Sequence, residues 1–90
     1  MHAVVVRAAI TDYEKARKTL QDETIPTVKG APGFMTGYWL APIDGKAMSV
    51  IVFETETAAQ EMQKRLQPGF KPSEWVTIES SEVREVAGSA

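Results

Sequence analysis

Two adjacent aromatic residues, Tyr38 and Trp39, are the side chains best suited to contact an aromatic molecule. Aromatic rings pack against each other, and the tyrosine hydroxyl and the indole N–H can each donate a hydrogen bond. Neighbouring strand residues point to opposite faces, so only one of the two can face a given cavity. Both side chains could also serve packing alone, which is the simpler interpretation.

Three further residues complete the set of ligand-cleft candidates. Trp75 follows a loop and either lines a pocket mouth or anchors the edge of a strand. Arg7 is the one charge in an apolar run, and it either binds an anionic group or forms a salt bridge across a subunit interface, for example to a glutamate, because an unpaired buried charge is costly. His2 is the only histidine. Histidine can act as a general base near neutral pH, but a position at the chain start predicts a partly exposed side chain.

Other kinds of chemistry lack a pattern in this chain. With no cysteine and one histidine, the scattered carboxylates have no metal-ligand spacing. The six glycines stand singly at turns rather than in a phosphate-binding loop. No serine lies in a nucleophile motif. The sequence therefore predicts no metal and no cofactor, and it assigns no catalytic residue.

The charge and hydropathy of the chain limit the classes of partner that we expect. The net charge is -2, and the charged residues are dispersed, so no basic patch for nucleic acid is expected. The apolar runs are far shorter than the roughly 20 residues of a membrane helix. A secretory signal is not recognisable at the start of the chain. Together with the lack of cysteine, this predicts a cytoplasmic protein without nucleic-acid or membrane partners.

Residues 31–54 read as two strands joined by a tight turn at Asp44 and Gly45, a pair typical of two-residue hairpins. If these are the turn residues, Ile43 pairs with Lys46. Tyr38 then shares a face with Ser49, Ile51 and Phe53, while Trp39 shares the other with Met48, Val50 and Val52. A shift of one residue would exchange the faces of the first strand. Both faces of the hairpin are apolar in either register, so each must pack against another part of the protein or against a partner.

The flanking segments supply two more strands and two helices. Residues 2–10 form the first strand, and residues 75–86 form the last, with a change of apolar phase that predicts a bulge near Ser80 and Ser81. The first helix is expected to begin with Thr11 as its N-cap and the second near Thr57, each in a capping-box pattern. Pro26 predicts a kink within residues 22–26 and resumption to about Lys29, or a simple stop at Thr24. One apolar stripe of the first helix should face the sheet: Tyr13, Ala16, Leu20, Thr24 and Val28.

The element order β-α-β-β-α-β is typical of a ferredoxin-like α+β fold, with a four-stranded antiparallel sheet and both helices on one face. We expect one domain over residues 1–90, ordered over about 2–86. An uncovered apolar sheet face is larger than a monomer usually exposes. A homodimer in which two sheets pack face to face is therefore predicted.

Three short segments carry a resemblance: residues 32–34 (PGF), 37–39 (GYW) and 52–54 (VFE). With the element order, they make the chain similar to the dimeric α+β barrel superfamily, and most similar to its antibiotic-biosynthesis-monooxygenase-like (ABM-like) domains. The resemblance implies a pocket between sheet and helices. It also implies three activities to consider: cofactor-independent oxygenation of aromatic polyketide-like substrates, haem degradation, or no catalysis.

The sequence departs from the haem-degrading pattern, because it has no asparagine and no histidine in the second helix. Two functions remain. The first is binding of a small aromatic or apolar ligand between sheet and helices, without dedicated catalytic residues. The alternative is a cofactor-independent monooxygenase whose cleft would be lined by Tyr38, Trp39, Trp75 and Arg7.

Overall fold

The computed structural model describes all 90 residues and contains one antiparallel sheet with the strand order β2-β3-β1-β4. The strands are β1 (His2–Ile10), β2 (Phe34–Ile43), β3 (Lys46–Phe53) and β4 (Val76–Glu85). The helical segments cover one face of this sheet, so the predicted ferredoxin-like α+β fold is confirmed. None of the helices has the length and apolar character needed to cross a membrane.

The first helical region has three parts: α1 (Tyr13–Thr19), a π turn (Leu20–Thr24) and α2 (Ile25–Lys29). Pro26 has no N–H, and its ring would clash with the carbonyl of Asp22 in a regular α-helix. The helix widens instead, and the N–H of Ile25 donates to the carbonyl of Leu20, five residues earlier. The predicted distortion before Pro26 and the resumption to Lys29 are both confirmed.

The helix N-caps differ from the capping-box predictions. Asp12, not Thr11, caps α1, and its Oδ1 accepts a hydrogen bond of 3.2 Å from the N–H of Lys15. The last helix, α3 (Glu56–Arg65), is capped by Thr55, whose Oγ1 accepts from the N–H of Ala58 at 3.1 Å. In both cases the side chain that caps is the one whose backbone is extended just before the first helical residue.

The hairpin turn lies at Asp44 and Gly45 as predicted, with positive φ angles of 52° and 75°. The predicted pairing of Ile43 with Lys46 is confirmed, but from Leu40 back to Thr36 the predicted register is wrong by one residue. Trp39 pairs with Ser49, and Tyr38 pairs with Val50, because the register shifts between Leu40 and Ile43. This irregularity turns residues 36–40 over, so Trp39 rather than Tyr38 lies on the helix side of the sheet.

The last strand changes register opposite Arg7 and Ala8, where its pairing passes from Ser80 to Ile78 and leaves Glu79 without a partner. This confirms the predicted bulge within about one residue. The bulge allows Ile78 and Val83 to face the same side despite their even and odd numbers. The core between this face and the helices is centred on three fully buried side chains: Val4, Ile51 and Phe53.

Candidate ligand cavity between sheet and helices

A cavity of about 110 Å³ lies between the sheet and the first helical region. Most of the residues in its wall are hydrophobic, and it is partly open to solvent. The last helix, α3, packs on β1, β3 and β4, whereas α1 makes few backbone contacts with the strands. The cavity occupies the space under this less closely packed part of the helical layer.

Small side chains form much of the cavity floor. Ala8 of β1 pairs with Ala47 of β3, and Val6 pairs with Ser49 in the next helix-facing position. All four residues line the cavity. A leucine or phenylalanine at these sites would reach the opposing helix, but alanine and serine do not, so space remains between the layers.

The roof of the cavity is the stripe of the first helical region that the sequence predicts to face the sheet. All five of its residues line the cavity: Tyr13, Ala16, Leu20, Thr24 and Val28. These positions are spaced by three or four residues, and a regular α-helix would rotate such a row gradually away from the sheet. The π turn takes up one extra residue and keeps both ends of the row over the cavity. The sequence indicated this row as packing, and its role as a cavity wall was missed.

The indole of Trp39 forms one wall. It lies over Gly37, such that a Cβ atom added at Gly37 would be 2.9 Å from Cζ3 and 3.0 Å from Cη2 of the indole. Glycine at this position therefore creates the space in which the indole lies. Trp39 is the only one of the five sequence-predicted candidates that lines the cavity.

Two of the other candidates lie on the opposite face of the sheet. The Tyr38 residue is 64% exposed there. Arg7 has a half-exposed side chain, and its Nη1 lies 3.6 Å from Oε1 of Glu82. Arg7 thus has a glutamate partner within the chain, whereas the sequence predicted such a partner across a subunit interface.

The carboxylate of Glu82 is also bound by a second arginine, since Arg84 Nε lies 3.2 Å from its Oε1 and Nη2 lies 3.4 Å from its Oε2. The hydrogen bond from Arg84, together with the charges of Arg84 and Arg7, holds the pKa of Glu82 below its ordinary value, against the opposing effect of desolvation. This carboxylate therefore remains charged further into the acidic range than a free glutamate. The cluster of Arg7, Glu82 and Arg84 is an electrostatic feature of the open face, not of the cavity.

The remaining two candidates, His2 and Trp75, also lie outside the cavity wall. His2 Nε2 is 3.4 Å from Oε2 of Glu56 at the start of α3, and its Nδ1 is buried without a hydrogen-bond partner. The Trp75 ring lies 5.6 Å from Nζ of Lys15, and its backbone carbonyl accepts a hydrogen bond from the N–H of Thr11. Trp75 thus connects the start of β4 to the start of the first helix, as an edge anchor does.

The polar part of the cavity wall consists of hydroxyl groups and one charge. The hydroxyl residues are Tyr13, Thr19, Thr24, Ser49 and Ser73, and the charge is that of Arg17. No aspartate, glutamate or histidine belongs to the wall. The arrangement can hold an apolar group and direct a few hydrogen-bond donors toward it.

Comparison with known proteins adds no relative: neither a family model, nor a curated protein, nor a solved structure matches this chain. The resemblance to ABM-like domains therefore stays a prediction from three short segments.

Proposed function

We propose that this protein binds a small apolar or aromatic molecule in the cavity between the sheet and the first helical region. The observation that carries the proposal is the cavity itself, about 110 Å³ in volume and lined mainly by hydrophobic side chains. An apolar cavity of about 150 Å³ is sufficient to bind benzene in another protein. The smaller volume here suits a ligand of similar or smaller size, with part of it at the open side.

Binding without catalysis is favoured over the monooxygenase alternative. The wall has no carboxylate or imidazole that could serve as a general base near neutral pH. Of the four side chains expected to line an oxygenase cleft, only Trp39 belongs to the wall. The monooxygenase alternative is supported by the resemblance of the three short segments alone.

Fluorobenzene is a suitable first probe, because its ring is close to benzene in size and its ¹⁹F signal reports binding directly. We expect saturable binding to the unaltered protein and stabilisation against heat, since a ligand bound only by the folded state raises stability by about 2.7 kcal/mol at 100 times its Kd. The Ala16→Leu variant should weaken or abolish binding, because the larger side chain would fill the space beneath α1.

Ala87→Leu is the matched control, because it adds the same atoms at an exposed site after β4 and outside the cavity wall. Circular dichroism establishes whether each variant is folded, and Ala47→Val fills the floor if Ala16→Leu does not fold. The proposal fails if fluorobenzene does not bind the parent protein, or if the folded cavity-filling variants bind it as tightly as the parent does.

We further propose that two copies associate through the open faces of their sheets. Support comes from the apolar side chains of that face in the three strands β1, β2 and β3: Val5, Tyr38, Val50 and Val52. Tyr38 is more than half exposed. Contiguous apolar patches of this kind mark association surfaces. A cytoplasmic location remains a prediction from the sequence.

A further inference from the structure

We propose that the ligand of the cavity is a carboxylic acid whose carboxylate pairs with Arg17 at the open side while its apolar part enters the cavity. This inference rests on the proposed binding function and specifies the chemical class of the ligand. Three observations carry it: the position of Arg17, its lack of an internal partner, and the size and polarity of the cavity.

Arg17 is the only charged residue in the cavity wall. It lies four residues after Tyr13 and three before Leu20, so the three side chains share one side of the helix, and all three line the cavity. Arg17 is itself exposed, which places it at the boundary between the apolar interior and water. An arginine at such a boundary extends its apolar stem along the wall and keeps its guanidinium hydrated.

No acidic side chain of this protein neutralises Arg17. Its side chain takes part in none of the five ion pairs of the chain. Glu14 is three residues earlier on the helix, but it forms no ion pair with Arg17 either. Other lysines and arginines are also unpaired, but they lie outside the cavity wall. The guanidinium is therefore free to receive an anionic group of a ligand.

A carboxylate matches the guanidinium best, because two parallel N–H groups of arginine can bind its two oxygens. The rest of the ligand must be apolar, since the wall beyond Arg17 is mainly hydrophobic. Its apolar part should have no more than about six carbon atoms, because benzene fits an apolar cavity of about 150 Å³. Short aliphatic acids and small cyclic acids satisfy these conditions.

Hexanoate and hexanamide test the inference as a pair, because they have the same shape and differ in charge. At neutral pH we expect hexanoate to bind the parent protein at least tenfold more tightly than hexanamide, by calorimetry. Arg17→Gln should weaken hexanoate binding at least tenfold, which is about 1.4 kcal/mol, and leave hexanamide binding unchanged. Butanoate has two methylenes fewer than hexanoate and should bind more weakly. We expect the affinity to fall about fourfold per methylene, since a buried CH₂ contributes about 0.8 kcal/mol.

Lys18→Gln is the control, because it removes the same charge from the next residue of the helix, which is exposed and outside the cavity wall. It should leave the affinity for both compounds unchanged. Equal binding of hexanoate and hexanamide, or equal effects of Arg17→Gln and Lys18→Gln, would overturn the carboxylate assignment while fluorobenzene binding still supports the cavity. Binding of fluorobenzene with no binding of hexanoate also overturns it. If fluorobenzene does not bind the parent protein, the proposed function itself fails.

Discussion

At the scale of single residues, the contact between the Trp39 indole and Gly37 matters most for the shape of the cavity. Both residues point to the helix side of β2, and the indole lies over the glycine. The sequence identified Trp39 as a ligand-contact candidate beside Tyr38, but it did not show which of the two faces the helices. That choice depends on a register shift beyond Leu40, and its one sequence signal is Pro42, since proline within a strand is confined to edges and bulges.

Gly37→Ala should move the indole out of its position. The new Cβ would lie 2.9 Å from Cζ3 of Trp39, closer than atoms in a packed interior tolerate. We expect a change in the near-ultraviolet circular dichroism of tryptophan and a loss of about 1–3 kcal/mol in the free energy of unfolding. Urea unfolding measures the second effect.

Gly88→Ala is the control, because a Cβ atom added at Gly88 has no neighbour within 4 Å. It should change neither the spectrum nor the free energy of unfolding. In a protein that already carries Trp39→Leu, Gly37→Ala should cost much less stability than it does in the parent protein. The leucine leaves space for the added methyl group. An unchanged spectrum and unchanged stability in Gly37→Ala alone would show that the indole does not lie over this glycine.

At the scale of elements, the sequence indicated the helix, its apolar stripe and its distortion before Pro26. It did not indicate a π turn, because a proline can equally kink, stop or widen a helix. The caps were assigned one or two residues from their true positions, since each helix start has more than one residue able to cap: Thr11 and Asp12 at the first, Thr55 and Thr57 at the second. The backbone conformation decides which of these residues is the N-cap. The capping-box sequence pattern does not contain that information.

Asp12→Ala and Thr11→Ala distinguish the two possible caps of α1. Asp12→Ala removes the acceptor for the N–H of Lys15 and should lower the free energy of unfolding by about 1 kcal/mol. Thr11→Ala should have a smaller effect, because the only hydrogen bond of the Thr11 side chain is a long one of 3.5 Å to the carbonyl of Trp75. Urea unfolding of both variants makes the comparison, and a larger loss for Thr11→Ala would contradict the assigned cap.

At the scale of the whole molecule, the fold was predictable because element order and apolar patterning agree. Six consecutive elements of recognisable type leave few alternatives to the four-stranded sheet with helices on one face. The cavity was not predictable in this way. It depends on Ala8 and Ala47 lying next to each other under Ala16, and these residues are remote in sequence. Only the three-dimensional structure shows that small side chains from both layers meet.

Val50→Lys should prevent association through the open sheet face. Val50 pairs with Val5 on one side and with Tyr38 on the other, which places it in the middle of the apolar surface. A lysine there would bring an uncompensated charge into the interface, at a cost of about 3 kcal/mol or more. Sedimentation should show the parent protein at twice the 9.9 kDa chain mass and the variant at the single chain mass.

Gln60→Lys is the control for this experiment, since it adds the same charge on the exposed side of α3. The Gln60→Lys variant should sediment as the parent protein does. A parent protein that sediments as a single chain at micromolar concentration would contradict the dimer.

The irregularities of β2 also bear on fibril growth. This strand is at the edge of the sheet, where unpaired backbone groups can recruit a strand from another molecule. Two register shifts, one after Phe34 and one after Leu40, interrupt the strand, and Pro42 within the second has no N–H to offer. These irregularities therefore disfavour growth of a continuous sheet from the β2 edge.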